Sequence, residues 1–181
     1  MTKQRTMEFE VLDLGCGIDP EGDVNVDIEN VYTEYGRRPR NFIVATSSRL
    51  PFKDKAFRLV KCHDLIEHLD DEEIIATLEE IKRVSDRAVI KVPNAYFIPG
   101  AWRYSWTSLG TDYRAIMRKF PHQQLFDEHM LKDALELVFA RVKIRGFGCW
   151  IAIPGLQSML RLLSPFVPFL GRLLVAHCEC E

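Results

Sequence analysis

Seven residues near the N-terminus, Val11-Leu-Asp-Leu-Gly-Cys-Gly17, constrain this chain more than any others. An apolar run delivers an acid, Asp13, and then two glycines one residue apart. A second short apolar run, Val24-Asn-Val26, ends in another acid, Asp27, followed by Ile28. An open α/β sheet builds a nucleoside site in this way, at the carboxyl ends of adjacent strands. The glycines let the backbone approach a ligand where a Cβ would collide, and the second acid is placed to accept hydrogen bonds from ribose hydroxyls. The next glycine after Gly17 is Gly22, so the dinucleotide spacing is absent, and no Gly-Lys-Ser/Thr of a P-loop occurs. The pattern suits a nucleoside without a pyrophosphate.

The 181 residues are expected to form a single domain, 1–181, with a core large enough to need no staples. A net charge of −2 provides no global field to recruit nucleic acid or an anionic membrane. The five cysteines form no Cys-x-x-Cys pair, so no metal site or disulfide framework is expected. Cys178-Glu-Cys180 reads as a frayed tail of reduced thiols. The first ten residues contain no apolar core of a secretory signal, which makes the cytoplasm the expected location.

Short apolar runs bounded by Gly, Pro and Asp predict strands at 9–14, 23–28, 41–45, 57–62 and 87–92, with two more at 141–148 and 172–178. A helix is predicted after Asp70 or Asp71, with Ile74, Ile75, Leu78, Ile81 and Val84 on its apolar face, and another over 127–139 with Met130, Leu131, Ala134, Leu135 and Val138. Strand–helix alternation argues for a mostly parallel sheet. Only residues 15–23 separate the first two strands. Nine extended residues reach roughly 30 Å, so this parallel return is feasible without its usual helix, though tight. Two segments exceed a minimal sheet. Residues 95–121 are rich in aromatic and basic side chains and leave the fifth strand at its carboxyl end. Residues 149–170 are apolar but broken by Pro154, Pro165 and Pro168, with Arg161 too central for a good membrane span. They are expected to pack on the sheet, with peripheral membrane contact as the alternative.

Together these residues resemble the class I S-adenosylmethionine-dependent methyltransferases, and among them the small type 11-like enzymes. Val-Leu-Asp-Leu-Gly-Cys-Gly resembles the family's first motif and Asn25-Val-Asp27-Ile its second. Leu50-Pro-Phe-Lys-Asp-Lys-Ala-Phe57-Arg-Leu-Val60 is similar to the stretch entering the fourth strand, and His63-Asp-Leu-Ile-Glu67-His68-Leu to the segment leaving it. Ile90-Lys-Val-Pro93-Asn94 and Gln124-Leu-Phe126 resemble the later elements, in order over residues 9–148.

The resemblance implies a Rossmann-like, seven-stranded, mostly parallel sheet with the last strand antiparallel, helices on both faces and a first crossover helix short or absent. It implies S-adenosylmethionine as cofactor, held by Asp13, Gly15, Cys16, Gly17, Asp27, Ile28, Thr46, Ser47, Leu50, His63 and Asp64. Thr46 stands where the family commonly has an Asp for the adenine amino group, so Thr46 or Ser47 must serve through a hydroxyl or a carbonyl. Arg58 stands where the family commonly has Asp.

Methyl transfer from a sulfonium is an in-line displacement in which the protein mainly positions the partners. His63 is the candidate base, because imidazole titrates near working pH. Residues 95–121 are read as a substrate lid, with Tyr96, Trp102 and Arg103, together with His122 just beyond it, as candidate acceptor contacts. The expected acceptor is a small molecule, sugar- or lipid-linked. Two rival readings remain open. Methylation of RNA or protein predicts a contiguous basic groove at the site mouth, and nucleic acid is not the expected partner. A degenerate fold that only binds a partner draws support from Thr46 and is opposed by the intact Gly15, Gly17 and Asp27.

Overall fold

The computed structural model describes residues 9–17, 19–29, 41–95, 123–148, 162–163, 165–166 and 173–180. Seven strands form one sheet in the order β3-β2-β1-β4-β5-β7-β6. They are β1 (Phe9–Leu14), β2 (Val24–Asp27), β3 (Phe42–Val44), β4 (Phe57–His63), β5 (Arg87–Pro93), β6 (Arg141–Phe147) and β7 (Leu173–Glu179). The pairings among β1 to β5 are parallel, while β7 runs antiparallel to both β5 and β6. The carboxyl ends of β1 to β6 therefore share one edge of the sheet. The strand order reverses between β1 and β4, which places a ligand crevice at that edge.

Leu12, Leu14, Val26, Val60, Cys62, Ile90 and Val92 are fully buried. Such near-continuous apolar runs belong to strands covered on both faces. Helix α1 (Asp71–Val84) joins β4 to β5 and is entered through a 3-10 turn, Ile66–His68. Its N-cap is Asp70, which accepts the Glu73 amide at 2.8 Å while the Glu73 side chain takes the Asp70 amide, a reciprocal capping box. Ile74, Thr77, Leu78, Ile81 and Val84 are buried. Ile75, predicted on that face, is exposed instead, because it lies one residue beyond the buried stripe.

Helix α2 (Glu128–Glu136) joins β5 to β6 and is capped by Asp127 on the Met130 amide. It buries Leu131 and Leu135 and leaves Met130 exposed, against expectation. Lys82 reaches the Val138 carbonyl at 3.0 Å and Gln124 reaches Asp71 at 2.9 Å, so α1 and α2 are neighbours on one face. Residues 30–40, which precede β3, lie outside the described residues.

No helix occurs among the described residues between β1 and β2. The return is fastened by side chains instead. Asp23 accepts the Val11 amide at 2.9 Å and its own amide donates to the Val11 carbonyl at 2.9 Å. Asp13 accepts the Glu21 amide at 2.7 Å. Asn25 exchanges hydrogen bonds with the Gly22 backbone at 3.0 and 3.1 Å. A Cβ on Gly22 would lie 2.6 Å from the Val24 carbonyl oxygen and 2.7 Å from the Asp13 nitrogen. Only glycine allows the chain to turn this closely against β1.

The C-terminal tail is ordered through Cys180, not frayed as expected. Cys178 is a buried β7 residue, and the Cys180 amide donates to the Asp86 carbonyl at 3.1 Å. Arg58 is turned outward and pairs with Glu10 across β1 and β4, which accounts for an arginine at that position.

Candidate functional site

The glycine loop closes over the end of β2. Gly15 and Gly17 have φ of +70° and +52°, the left-handed region that favours glycine. The amides of Gly15 and Cys16 both donate to the Val26 carbonyl, at 2.9 and 3.1 Å. The Gly17 amide donates to Asp27 Oδ2 at 2.9 Å. Asp27 Oδ1 meets only the Glu29 amide among the described contacts, at 3.5 Å, which is the limit of a hydrogen bond. That oxygen keeps most of its acceptor capacity. A Cβ on Gly15 would press on Leu65 at 3.0 Å, whereas the space beside Gly17 is open within 4 Å. An acceptor carboxylate beside an open, glycine-lined backbone fits a ribose and its sulfonium-bearing chain.

The other predicted site residues divide into two groups. Ile28 is 59% exposed directly after Asp27, available to pack on a base, and Thr46 is exposed just beyond β3. The Cys16 side chain turns inward onto Phe42, leaving only its backbone at the loop. Asp13 is buried, and burial raises its pKa above the usual carboxylate value; its bond to the Glu21 amide makes it a brace for the crossover. The Ser47 hydroxyl bonds Thr77 of α1 at 2.8 Å. Leu50 is a core residue whose amide is held by Glu80 at 2.6 Å and whose carbonyl is held by Arg83 at 3.0 Å. The Ser47 hydroxyl and the Leu50 side chain thus serve packing between the loop and α1.

His63 ends β4, half-buried. Burial, followed by the nearby Lys91, lowers its pKa, so its imidazole is neutral at neutral pH and able to accept a proton. Asp64 follows with φ of +51° and pairs with Lys91 at 2.9 Å, its amide bound to the Lys91 carbonyl. Glu21 pairs with Lys61 at 2.7 Å nearby.

Glu67 is a residue the sequence did not mark. It is 1% exposed, and neither carboxyl oxygen has a hydrogen-bond partner. Burial, then the Asp64 charge, lifts its pKa to about 8. A glutamate within a polar turn gives no sequence signal of burial. Its carbonyl accepts the amides of Gln123 and Gln124 at 2.8 and 3.1 Å. Ala95 donates to the Phe126 carbonyl at 2.8 Å. The chain therefore leaves and re-enters at one place, beside the turn that carries Glu67. Tyr96, Trp102, Arg103 and His122 lie outside the described residues. Among the described residues no group of three His, Cys, Asp or Glu side chains is arranged to hold a metal ion.

The fold and the loop define a class. The architecture is that of the class I S-adenosylmethionine-dependent methyltransferases, and residues 12–88 match the methyltransferase domain family. A SAM-dependent methyltransferase from Thermotoga maritima superimposes with a TM-score of 0.64 at 14% identity, over 96% of this chain and 83% of that one. One from Archaeoglobus fulgidus gives 0.57 at 20% identity, over 94% and 86%. An uncharacterized protein of Methanocaldococcus jannaschii is 31% identical over 84 residues, which is 42% of this chain and 36% of that protein. The match thus spans about a third of that relative's length. The family match covers residues 12–88, and the superpositions show the fold.

Proposed function

We propose that this protein transfers the methyl group of S-adenosylmethionine to a small-molecule acceptor, sugar- or lipid-linked. The observation that supports the reading is the Gly17–Asp27 hydrogen bond, which engages Asp27 Oδ2 and leaves Oδ1 with acceptor capacity beside an open glycine backbone. The cofactor supplies an electrophilic methyl on a sulfonium. Asp27 binds the ribose hydroxyls and Gly15 to Gly17 line the path of the amino-acid chain. Ile28 packs on the adenine, and the Thr46 hydroxyl or carbonyl meets its edge. His63, neutral and half-buried at the end of β4, takes the proton of an acceptor hydroxyl or amine as the methyl arrives. Orientation alone can supply roughly 7–11 kcal/mol of the barrier, so few catalytic side chains are required.

Incubation with methyl-tritiated cofactor and a cell extract tests the acceptor class. Label in small, solvent-extractable or water-soluble products is the expected result. Label confined to acid-precipitable RNA or protein would overturn the small-molecule reading.

A further inference from the structure

The β5–β7–β6 end of the sheet has two unlike faces. Ala88, Ile90, Val92, Leu174, Ala176 and Cys178 lie on one of them, buried in a single core with the apolar residues of α1 and α2. Alternate residues stand on the other face, and there Lys143, Arg145 and His177 are exposed. Of residues 149–170, expected to pack on the sheet, the described Leu162, Leu163 and Phe166 are instead exposed, at 74%, 41% and 83%.

The strand registers place the exposed residues in rows that lead to the candidate site. Across the sheet His63 faces Lys91, Lys91 faces Val175, and Val175 faces Arg145. The adjacent row is Lys61, Val89, His177 and Lys143. Directly opposed residues point to the same face, so His63 shares one surface with Lys143, Arg145 and His177. The backbone at Arg145 is three strand spacings from His63, about 14 Å.

Charges on an edge strand commonly guard against unwanted pairing. That role does not explain His177, because β7 lies between β5 and β6. Nor does the face form a continuous cationic track. Lys61 is paired with Glu21, Lys91 with Asp64 and Arg141 with Glu179. Among the described residues no acid pairs with Lys143 or Arg145, so one compact cluster remains. A long polyanion is held by many cations in succession, whereas two cations and an imidazole suit a single dianionic group. A phosphate monoester carries a charge of about −1.5 to −2 at neutral pH and accepts paired hydrogen bonds from arginine.

We propose that the methyl acceptor carries a phosphate group, bound by Lys143, Arg145 and His177 while its reacting group lies at His63. Arg145 donates two parallel hydrogen bonds to the phosphate oxygens, Lys143 supplies a point charge and His177 an imidazole N–H. The long side chains of Lys143 and Arg145 shorten the gap to His63, and a sugar ring with its attached phosphate spans the rest. Free sugar phosphates and lipid-linked sugar phosphates share this chemistry. The proposal rests on the methyl-transfer reading above and narrows its acceptor class.

The test is transfer from methyl-tritiated cofactor to a cell extract by the full chain, with the labelled product passed over an anion exchanger. The product should be retained, and should pass unretained after digestion with phosphodiesterase and phosphatase. Solvent-extractable label then marks a lipid-linked phosphate, and water-soluble label a free sugar phosphate. The Lys143→Ala/Arg145→Ala double variant should need at least about tenfold more extract for half-maximal labelling, while S-adenosylhomocysteine binds it as it binds the parent. A product that is never retained, or that stays retained after digestion, would overturn the proposal. So would a double variant that labels like the parent, or label confined to acid-precipitable RNA. No labelled product in any fraction would instead remove the methyl-transfer reading beneath it.

Discussion

Gly17 and Asp27 are joined by a 2.9 Å hydrogen bond from amide to carboxylate, so the residue aimed at the ribose also fastens the glycine loop. From sequence alone Asp27 reads purely as a ligand contact. The bond gives it a second role. Asp27→Ala should abolish measurable binding of S-adenosylhomocysteine and also cost about 1.5–3 kcal/mol of stability, the usual range for a lost hydrogen bond to a charged group. Asp27→Asn keeps an oxygen for the Gly17 amide. It should melt close to the parent while binding the cofactor more weakly. Calorimetric titration and thermal melts on the two variants together separate the roles.

Gly22 and Gly17 should fail in opposite ways. At Gly22 a Cβ would overlap backbone atoms at 2.6 and 2.7 Å. Gly22→Ala should therefore lower the denaturant midpoint by the equivalent of about 2–3 kcal/mol. At Gly17 nothing lies within 4 Å, and only the φ of +52° penalises a side chain. Gly17→Ala should cost about 1 kcal/mol of stability and far more of cofactor affinity, because the new methyl occupies the open space.

Glu67 should leave a signature in stability against pH. Its carboxyl titrates at about 8 in the fold, against 4.5 when solvated. The folded state therefore holds a proton that the unfolded chain has already lost. The stability tied to Glu67 is complete below pH 4.5, declines as pH rises toward 8 and is level beyond. Its size is on the order of 5 kcal/mol at most. Glu67→Gln should melt higher than the parent at pH 8, and the gap should close near pH 4. An equal gap at both pH values would place a bonding partner on that carboxyl.

His63→Ala should slow methyl transfer about 10²–10⁴-fold, the range for a lost general base, with cofactor affinity little changed. Because burial lowers the His63 pKa, the acid limb of the parent's kcat profile should lie below the ordinary histidine range and vanish in the variant. An unchanged rate would reduce His63 to a backbone contact.

Strands and caps were legible in this sequence because their causes are local. Apolar runs mark β1 to β7, and Asp70 or Asp71 marks the start of α1, whereas Asp127, read as the first residue of the second helix, is its cap. Helix faces were legible only to within one residue of rotation, which is why Ile75 and Met130 were misplaced. The missing first crossover helix was legible from chain length, but the fastenings that replace it were not. Gly22 is required by close approach to β1, and no spacing template encodes that contact. Ser47 meets Thr77 across thirty residues, which no periodicity reveals. Glu67 looks like any polar turn residue until the fold buries it.

Calorimetric titration with S-adenosylhomocysteine tests the central claim most directly. The account predicts saturable binding of one ligand per chain in the micromolar range, about −7 to −8 kcal/mol, and its loss in Asp27→Ala. No heat from a folded parent protein at about 1 mM ligand, where even a binding energy near −4 kcal/mol would register, would contradict it.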